Sequence, residues 1–248
     1  MERMVYKEKI VKWLKEYAEA AGMEGFVVGI SGGIDSAVTS TLCALTGLKV
    51  HAVTMPIHQD PTLHGLSELQ IQWLEDSFTN VTSECVDLTK TYDIFSQDVT
   101  TTELGLANSR ARLRMTTLYA LAASHNMLVA GTGNKVEDFG VGFFTKYGDG
   151  GVDLSPIADL MKSEVYELAQ ELGVPQEIQE VAPTDGLWGD GRNDEDQLGA
   201  TYKELEWAMT FSGGDCSDRE KEVLKIYSEH RNKNYHKMMP IPVFKKDE

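Results

Sequence analysis

The amino-acid sequence predicts an α/β fold, a doubly wound parallel sheet with helices on both faces, formed as a single domain over residues 1–248. Short apolar runs alternate with stretches of helical apolar spacing, which is the pattern of such a sheet. The hydrophobic fraction of 42% and the charged fraction of 25% are ordinary for a globular protein. No internal repeat, low-complexity tract or linker marks a second domain.

The first half of the chain predicts a helix followed by a β-α-β unit. Residues 1–22 have helical spacing, and the unit comprises an apolar strand over 26–30, a helix over 37–45 and a strand over 50–55. A right-handed crossover between these strands makes them parallel. The elements predicted after this unit are a helix over 66–78, a strand over 81–86, a long helix over 107–125 and a strand over 127–130.

The second half predicts a long loop and three helices. Residues 140–151 are rich in glycine and charge without any period, which indicates a loop. Asp159 is expected to cap a helix that runs to Leu172, and Gly173 and Pro175 are expected to end it. Helices over 194–211 and 217–232 follow, before a proline-containing tail.

The charge and cysteine content limit the classes of function. A net charge of −16 disfavours binding to nucleic acid or to an anionic membrane, so an anionic substrate requires local basic clusters. Cys43, Cys85 and Cys216 are far apart and lack the spacing of a metal site, which fits a reducing compartment. No apolar run approaches the ~20 residues that cross a bilayer. We therefore expect a soluble cytoplasmic protein.

The most informative motif is SGGIDS at residues 31–36, between a predicted strand and helix. Its glycines let backbone amides approach an anion, and the hydroxyls and the helix dipole favour phosphate oxygens. Asp35 beside such a loop repels phosphate unless Mg²⁺ lies between them. The alternative is a structural turn in which serine and aspartate cap the helix. The chain has neither a GxxxxGK[ST] nor a GxGxxG motif, which disfavours the Walker-type and dinucleotide-binding classes.

This loop resembles the pyrophosphate loop of the N-type ATP pyrophosphatases, which cut ATP between its α and β phosphates to adenylate a substrate. Within that superfamily the likeness covers nearly the whole chain and is specific to the ammonia-dependent NAD synthetase family. The segments that carry it are SGGIDS (31–36), NSRARLRM (108–115), GTGNKVED (131–138), FFTKYGDGGVDLSPIADLMKSEV (143–165), APTDGLW (182–188), DEDQLGATY (194–202) and His236-Lys237. The resemblance implies a Rossmann-like fold of the adenine-nucleotide alpha-hydrolase type.

The resemblance also implies the residues around ATP. The expected ATP-binding residues are Gly29, Ser31, Gly32, Gly33, Ile34, Asp35, Ser36, Thr132, Lys162 and Thr184. Asp35 and Glu137 are expected to hold Mg²⁺, and Lys162 is expected to act catalytically on the leaving pyrophosphate. Alternatives are that Glu137 is a solvated surface carboxylate and that Lys162 is exposed to water. Replacing Lys162 by alanine is expected to remove adenylation with little change in thermal unfolding.

A second implied group binds deamido-NAD. Its expected members are Arg112, Lys146, Asp153, His236 and Lys237. Arg110, Arg112 and Arg114 cannot share one helix face, so only Arg112 is assigned to the substrate, and the other two are expected to form ion pairs or cover surface. His236 and Lys237 lie in a tail that could equally be disordered.

Asp149 is the candidate catalytic group for ammonia, because a carboxylate can bind ammonium and accept its proton. The alternative is a turn aspartate that stabilises the glycine-rich loop. The implied reaction forms an acyl-adenylate from the nicotinate carboxylate and ATP, after which ammonia displaces AMP. The synthetase core follows almost directly after Met1, so free or delivered ammonia is the expected nitrogen source, and a homodimer is expected.

Two other classes of function remain open from the sequence. One is another adenylating enzyme with a pyrophosphatase loop, such as a tRNA-thiolating or GMP-forming enzyme, although the acidic chain lacks paired reactive cysteines. The other is a non-catalytic module that binds ATP as a regulatory ligand.

Overall fold

A computed structural model describes residues 5–184 and 193–246 of the chain. Four parallel strands form the central sheet in the order β3-β2-β1-β4. They are β1 (Gly25–Gly29), β2 (Lys49–Thr54), β3 (Val81–Cys85) and β4 (Leu128–Ala130). The segment after the 140–151 loop extends the sheet by one parallel bridge between Ala130 and Leu154.

Helices surround the sheet and continue beyond it. They are α1 (Val5–Ala20), α2 (Ile34–Leu45), α3 (Pro61–Ser77), α4 (Thr89–Asp98), α5 (Glu103–His125), α6 (Lys162–Leu172), α7 (Gln176–Gln179), α8 (Asp194–Leu198), α9 (Tyr202–Thr210) and α10 (Asp218–Met238). A π-helical turn spans Val136–Val141. Across residues 5–184 and 193–246, no helix has the length and apolar content to span a membrane.

The sheet is covered on both faces, as predicted. Val28 of β1 faces a core cluster that includes Leu42 of α2, whereas the adjacent Val27 faces a second cluster that includes Ala122 of α5. Side chains alternate along a strand, so a strand that is apolar at successive positions must be buried on both sides. This arrangement confirms the doubly wound α/β fold.

A third core cluster, called here the C-terminal cluster, lies outside the sheet. It joins the π-helical turn to α8, α9 and α10. Its buried members are Val136, Val141, Leu198, Ala200, Tyr202, Leu205, Ala208 and Val223. The cluster therefore packs the last part of the described chain against the segment that follows β4.

Two sequence predictions about the helices are wrong. Asp159 does not cap α6 but pairs with Lys135, at 2.8 Å between Lys135 Nζ and Asp159 Oδ1. The helix begins instead at Lys162, where the Met161 N–H donates to Glu164 Oε2 at 2.8 Å. The predicted helix over 194–211 is broken at Gly199, which has a φ of 77° and ends α8. The sequence analysis also missed α4, in which Tyr92 is the one buried residue.

Two helix boundaries matter for the functional residues. Helix α2 begins at Ile34 rather than at residue 37, so Asp35 and Ser36 lie in its first turn. Helix α10 continues to Met238, so His236 and Lys237 lie in its last turn rather than in an irregular tail. Gly173 ends α6 with a left-handed φ of 73°, as predicted.

The loop between β1 and α2 packs directly on α3. Gly32 has a φ of 84°, and a Cβ atom at this position would lie 2.8 Å from the Leu63 carbonyl oxygen and 2.9 Å from the Ser67 nitrogen. Only glycine satisfies both the conformation and the close approach. The packing of α3 therefore fixes the path of the loop.

Replacing Gly32 by alanine should destabilise the protein more than the same change at Gly22. Gly22 has a similar φ of 68°, but no atom lies within 4 Å of an added Cβ. Gly22→Ala should lower the free energy of unfolding by about 1–2 kcal/mol through backbone strain alone. Gly32→Ala should lose roughly a further 1–3 kcal/mol through overpacking. Urea denaturation measures both, and equal losses would contradict the proposed packing.

Candidate active site

Three charged side chains from three elements meet beside the carboxyl ends of β1 and β4. Lys162 Nζ lies 2.5 Å from Asp35 Oδ2 and 3.2 Å from Glu137 Oε1. Asp35 comes from the first turn of α2, Glu137 from the π-helical turn and Lys162 from the first turn of α6. The residues that sequence motifs grouped as an ATP and metal site are thus joined by direct contacts.

This charged cluster is removed from solvent. Lys162 is only 2% exposed, so it is not the water-exposed lysine of the alternative interpretation, and Glu137 is not a fully solvated surface carboxylate. Burial opposes the charged form, but the negative charges of Asp35 and Glu137 raise the pKa of Lys162 well above its usual value. Lys162 therefore carries its positive charge at neutral pH.

Asn134 connects the carboxylate of Asp35 to the backbone of Glu137. It is fully buried, and its Nδ2 donates to Asp35 Oδ1 at 3.1 Å. Its Oδ1 accepts from the backbone N–H groups of Val136 and Glu137 at 3.1 and 3.2 Å. One amide side chain thereby fixes the start of the π-helical turn against the first turn of α2.

Tyr202 forms the other boundary of the cluster. Its hydroxyl donates to Glu137 Oε1 at 2.6 Å and lies 3.3 Å from Asp194 Oδ2, and Lys162 Nζ lies 4.8 Å from the centre of its ring. Burial and the charges of Glu137 and Asp194 raise the pKa of Tyr202, so the hydroxyl keeps its proton. The sequence analysis assigned no role to Asn134, Asp194 or Tyr202. The only signal for them was their place in the GTGNKVED and DEDQLGATY segments.

The 31–36 loop presents its hydroxyls and backbone to the same edge. Ser36 Oγ donates to the Gly33 carbonyl at 2.9 Å and lies 3.2 Å from Ser31 Oγ, which accepts the Gly33 N–H. Ser36 Oγ also lies 3.3 Å from the side-chain oxygen of buried Gln70 on α3. These hydrogen bonds stabilise the turn itself, as the structural interpretation expects. The N-terminus of α2 lies in the same loop and is suited to bind an anion.

The remaining expected ATP-binding residues are placed as follows. Gly29 ends β1 and Ile34 is buried at the start of α2. Thr132 is half-buried two residues before Asn134. Thr184 is exposed, and the rest of the APTDGLW motif, residues 185–188, lies outside the described residues. The roles of these residues at ATP stay predictions.

Three of the five residues expected to bind deamido-NAD form a chain of contacts, and a fourth, Lys237, bonds the 140–151 loop beside them. Arg112 Nε and Nη2 both donate to the Lys146 carbonyl at 3.3 Å, and Lys146 Nζ donates to the His236 carbonyl at 3.3 Å. Lys237 Nζ donates to the Phe144 carbonyl at 2.7 Å. The 140–151 loop thus bridges α5 and the last turn of α10.

Asp153 stands apart from this chain of contacts. Its Oδ1 accepts from the Tyr119 hydroxyl at 2.9 Å, and its Oδ2 accepts from the Val129 N–H at 2.8 Å. Both carboxylate oxygens therefore bind groups of the protein beside β4. A role for Asp153 at the substrate stays a prediction.

The three arginines of α5 point in different directions, as their spacing predicted. Arg110 lies 4.8 Å from the centre of the Tyr92 ring, and Arg112 reaches the 140–151 loop. Arg114 is half-buried, and its Nε donates to the Met55 carbonyl at 2.9 Å. Burial and the charge of Arg110 lower the pKa of Arg114 to about 10. Arg114 is therefore tied to the end of β2 by a backbone hydrogen bond.

Asp149 stabilises the 140–151 loop and has an altered acidity. Its Oδ1 accepts from the Thr145 N–H at 3.0 Å, which is the turn role of the alternative interpretation. Although the residue is exposed in the loop, desolvation of its carboxyl group raises the pKa of Asp149 to about 6. A carboxylate with this pKa accepts a proton more readily than an ordinary aspartate near neutral pH.

Helix α10 holds the segment that follows Glu137. Arg231 Nη1 donates to the Phe139 carbonyl and, at 3.1 Å, to the Gly140 carbonyl, and Asn234 Nδ2 donates to the Val141 carbonyl at 3.0 Å. With Lys237, these donors follow each other at a spacing of three residues along one face of α10. We call them the α10 ladder.

Removing the Lys162 side chain should destabilise the protein, contrary to the expectation from sequence alone. Lys162→Ala leaves Asp35 and Glu137 without their buried cation, and breaking such a pair costs about 3–5 kcal/mol. The matched control is Lys135→Ala, whose partner Asp159 is 95% exposed, and it should cost at most about 1 kcal/mol. Urea denaturation at pH 7 tests this, and equal stability of the two variants would contradict it.

Comparison with known proteins places the chain in a family. The NAD synthase family profile matches residues 6–247. An NH(3)-dependent NAD(+) synthetase from Alkaliphilus metalliredigens is 38% identical over 251 residues, covering 97% of this chain and 98% of that protein. Two solved structures are similar along almost the whole chain.

The first is an NMN synthetase from Francisella tularensis, with a TM-score of 0.88 and 34% identity over 98% of each chain. The second is an NH3-dependent NAD synthetase from Campylobacter jejuni, with a TM-score of 0.77 and 27% identity, covering 99% of this chain and 100% of that chain. On the family match and these similarities, together with the charged cluster at the 31–36 loop, the chain belongs to the NAD synthase family.

Proposed function

We propose that this protein uses ATP to amidate deamido-NAD with ammonia, giving NAD, AMP and pyrophosphate. The observation that carries the proposal is the cluster of Asp35, Glu137 and Lys162 beside the 31–36 loop, in a chain of the NAD synthase family. Relatives that match nearly the full chain are named ammonia-dependent NAD synthetases. The enzyme is therefore a ligase that forms a carbon–nitrogen bond.

In the first step the nicotinate carboxylate of deamido-NAD attacks the α-phosphorus of ATP. The bond from the α-phosphorus to the bridging oxygen breaks, pyrophosphate leaves and an acyl-adenylate remains. The 31–36 loop and the N-terminus of α2 bind phosphate oxygens. Lys162 supplies a fixed positive charge where negative charge develops on the leaving group.

The residues present fit a divalent cation between protein and ATP. Asp35 and Glu137 both approach the single Lys162 Nζ atom, so their oxygens converge, and carboxylates suit Mg²⁺. Within residues 5–184 and 193–246, no three His, Cys, Asp or Glu side chains form a metal cluster. Mg²⁺ is usually held by one or two carboxylates plus phosphates and water, and Asp35 and Glu137 supply two. When bound, Mg²⁺ neutralises charge on the phosphate oxygens.

In the second step ammonia attacks the acyl carbon, the bond to AMP breaks and a proton must be removed from nitrogen. We assign this proton to the carboxylate of Asp149, whose pKa of about 6 suits a base near neutral pH. Ammonium is the dominant form of ammonia at that pH, so the same carboxylate also attracts the incoming cation. The hydrogen bond from Thr145 holds Oδ1 in place.

The deamido-NAD site is assigned to the basic residues on the 140–151 loop, α5 and α10. Arg112, Lys146 and Lys237 gather positive charge in a protein with a net charge of −16. The dinucleotide pyrophosphate needs such cations. His236 is exposed in the last turn of α10 beside them, and Asp153 completes the set implied by the family resemblance.

Assembly and location are also part of the proposal. A homodimer is proposed from the family resemblance, and exposed apolar side chains on α4 and α5 are available for such an interface, including Ile94 and Leu104 at 55% and 57% exposure. Cys43, Cys85 and Cys216 are free thiols, which fits a cytoplasmic location.

One structural observation favours a second candidate substrate. The NMN synthetase from Francisella tularensis resembles this chain with a TM-score of 0.88, above the 0.77 of the Campylobacter jejuni NAD synthetase. Amidation of nicotinate mononucleotide involves the same carboxylate and the same adenylation step. That substrate lacks the adenylate half of deamido-NAD, so the difference lies in binding rather than in chemistry.

Purified protein supplied with ATP, MgCl₂, ammonium and deamido-NAD should form NAD and AMP in equal amounts. Asp35→Asn should lower kcat/KM by roughly a hundredfold or more. The control Asp159→Asn changes an exposed carboxylate that lies three residues before the start of α6, and it should leave kcat/KM unchanged. A higher kcat/KM for nicotinate mononucleotide than for deamido-NAD would favour the second candidate. If the protein binds ATP but forms no AMP with either substrate, it is a non-catalytic module.

The amidation step should depend on pH through Asp149. At constant free ammonia, kcat/KM should fall as the pH drops below about 6, because protonated Asp149 cannot accept a proton. Asp149→Asn still offers an oxygen to the Thr145 N–H, so it should fold and release pyrophosphate. It should slow amide formation roughly 10²–10⁴-fold. Equal loss of pyrophosphate release and amide formation would argue against a base role.

A further inference from the structure

Glu137 depends on two partners that share one of its oxygens. Glu137 Oε1 accepts from Lys162 Nζ at 3.2 Å and from the Tyr202 hydroxyl at 2.6 Å. Asp35, the other carboxylate of the proposed metal site, is held by Lys162 at 2.5 Å and by buried Asn134 at 3.1 Å. Each carboxylate therefore has one charged partner and one neutral partner.

Lys162, the charged partner, cannot bind both carboxylates and ATP equally strongly. In the proposed reaction the triphosphate brings more negative charge than either carboxylate, and it attracts the ammonium group of Lys162. The contact of Lys162 with Glu137, at 3.2 Å, is longer than its contact with Asp35, at 2.5 Å, so it is the weaker of the two. The neutral hydroxyl of Tyr202 is not drawn away in this manner.

Tyr202 is well fixed in the fold. It is 6% exposed and packs in the C-terminal cluster. It is the first residue of α9, whose start is capped by the hydroxyl of Thr201 through the Glu204 N–H. The backbone N–H of Tyr202 donates to Glu195 Oε1 at 2.8 Å. The position of the hydroxyl is thus set by the backbone and by packing on the ring.

We propose that Tyr202 is a positioning residue that keeps the Glu137 carboxylate oriented toward the metal ion when Lys162 turns to ATP. This inference rests on the metal assignment of the proposed function. Tyr202 acts through Glu137 and does not contact the reacting atoms. Its loss should therefore weaken metal binding, which a purely structural tyrosine would not do.

The test uses Tyr202→Phe, which removes the hydroxyl and keeps the ring. Mn²⁺ replaces Mg²⁺ as a spectroscopic probe, and its affinity is measured by electron paramagnetic resonance in the presence of α,β-methylene-ATP, which cannot be cleaved between its α and β phosphates. Tyr202→Phe should weaken Mn²⁺ binding about tenfold to a hundredfold, as happens when a metal ligand loses the side chain that hydrogen-bonds to it. Tyr227→Phe changes a partly buried tyrosine that packs against the same C-terminal cluster; it is the matched control and should bind Mn²⁺ like the unsubstituted protein.

A double-mutant cycle with Glu137→Gln separates positioning from general damage. In the Glu137→Gln background, Tyr202→Phe should cause no further loss of Mn²⁺ affinity, because the side chain on which it acts is already changed. High Mg²⁺ should restore the kcat of Tyr202→Phe. If that variant fails to fold, Tyr202→Trp, which keeps an N–H donor on a large ring, should retain more Mn²⁺ affinity than Tyr202→Leu.

The inference is overturned if Tyr202→Phe binds Mn²⁺ as tightly as the unsubstituted protein, if the losses in the double variant are additive, or if Tyr202→Trp and Tyr202→Leu bind Mn²⁺ alike. It is also overturned if the unsubstituted protein binds no Mn²⁺ with the ATP analogue. Failure of the proposed function is a different result, because a protein that makes neither NAD nor NMN can still be titrated with Mn²⁺.

Discussion

The site depends on one electrostatic constraint, the neutralisation of Asp35 and Glu137 by buried Lys162. Two carboxylates this close repel each other, and removing them from water without a cation costs several kcal/mol. Each of the three residues comes from a different element, so their ion pairs also fix the first turns of α2 and α6 against the π-helical turn. The cluster therefore fixes the relative positions of the three elements at the site.

Much of the fold was predictable because its signals are local. Near-continuous apolar runs gave the positions of β1, β2 and β4, since strands buried on both faces show no alternation. The 31–36 loop was recognisable because glycine has few reasons to occur twice between a strand and a helix. The proximity of Asp35, Glu137 and Lys162 was expected only through family resemblance. Lys162 and Asp35 are 127 residues apart, and no local pattern joins them.

The remaining features are decided by contacts between distant segments. Asp159 has the chemistry of a helix cap, but its ion pair with Lys135 takes it out of that position. Gly199 interrupts a helical pattern whose apolar spacing continues on both sides. The sequence analysis assigned no role to Tyr202, and only its hydrogen bond to Glu137, 65 residues earlier, indicates a place beside the charged cluster. Propensity and periodicity do not contain such information.

The α10 ladder has a consequence for the biogenesis of the protein. Its donors come more than 90 residues after the carbonyl groups that they bind, which belong to Phe139 and to the first part of the 140–151 loop. During translation that segment leaves the ribosome long before its partner helix exists. The hydrogen bonds that hold residues 139–144 to α10 can therefore form only after that helix has been synthesised and has docked.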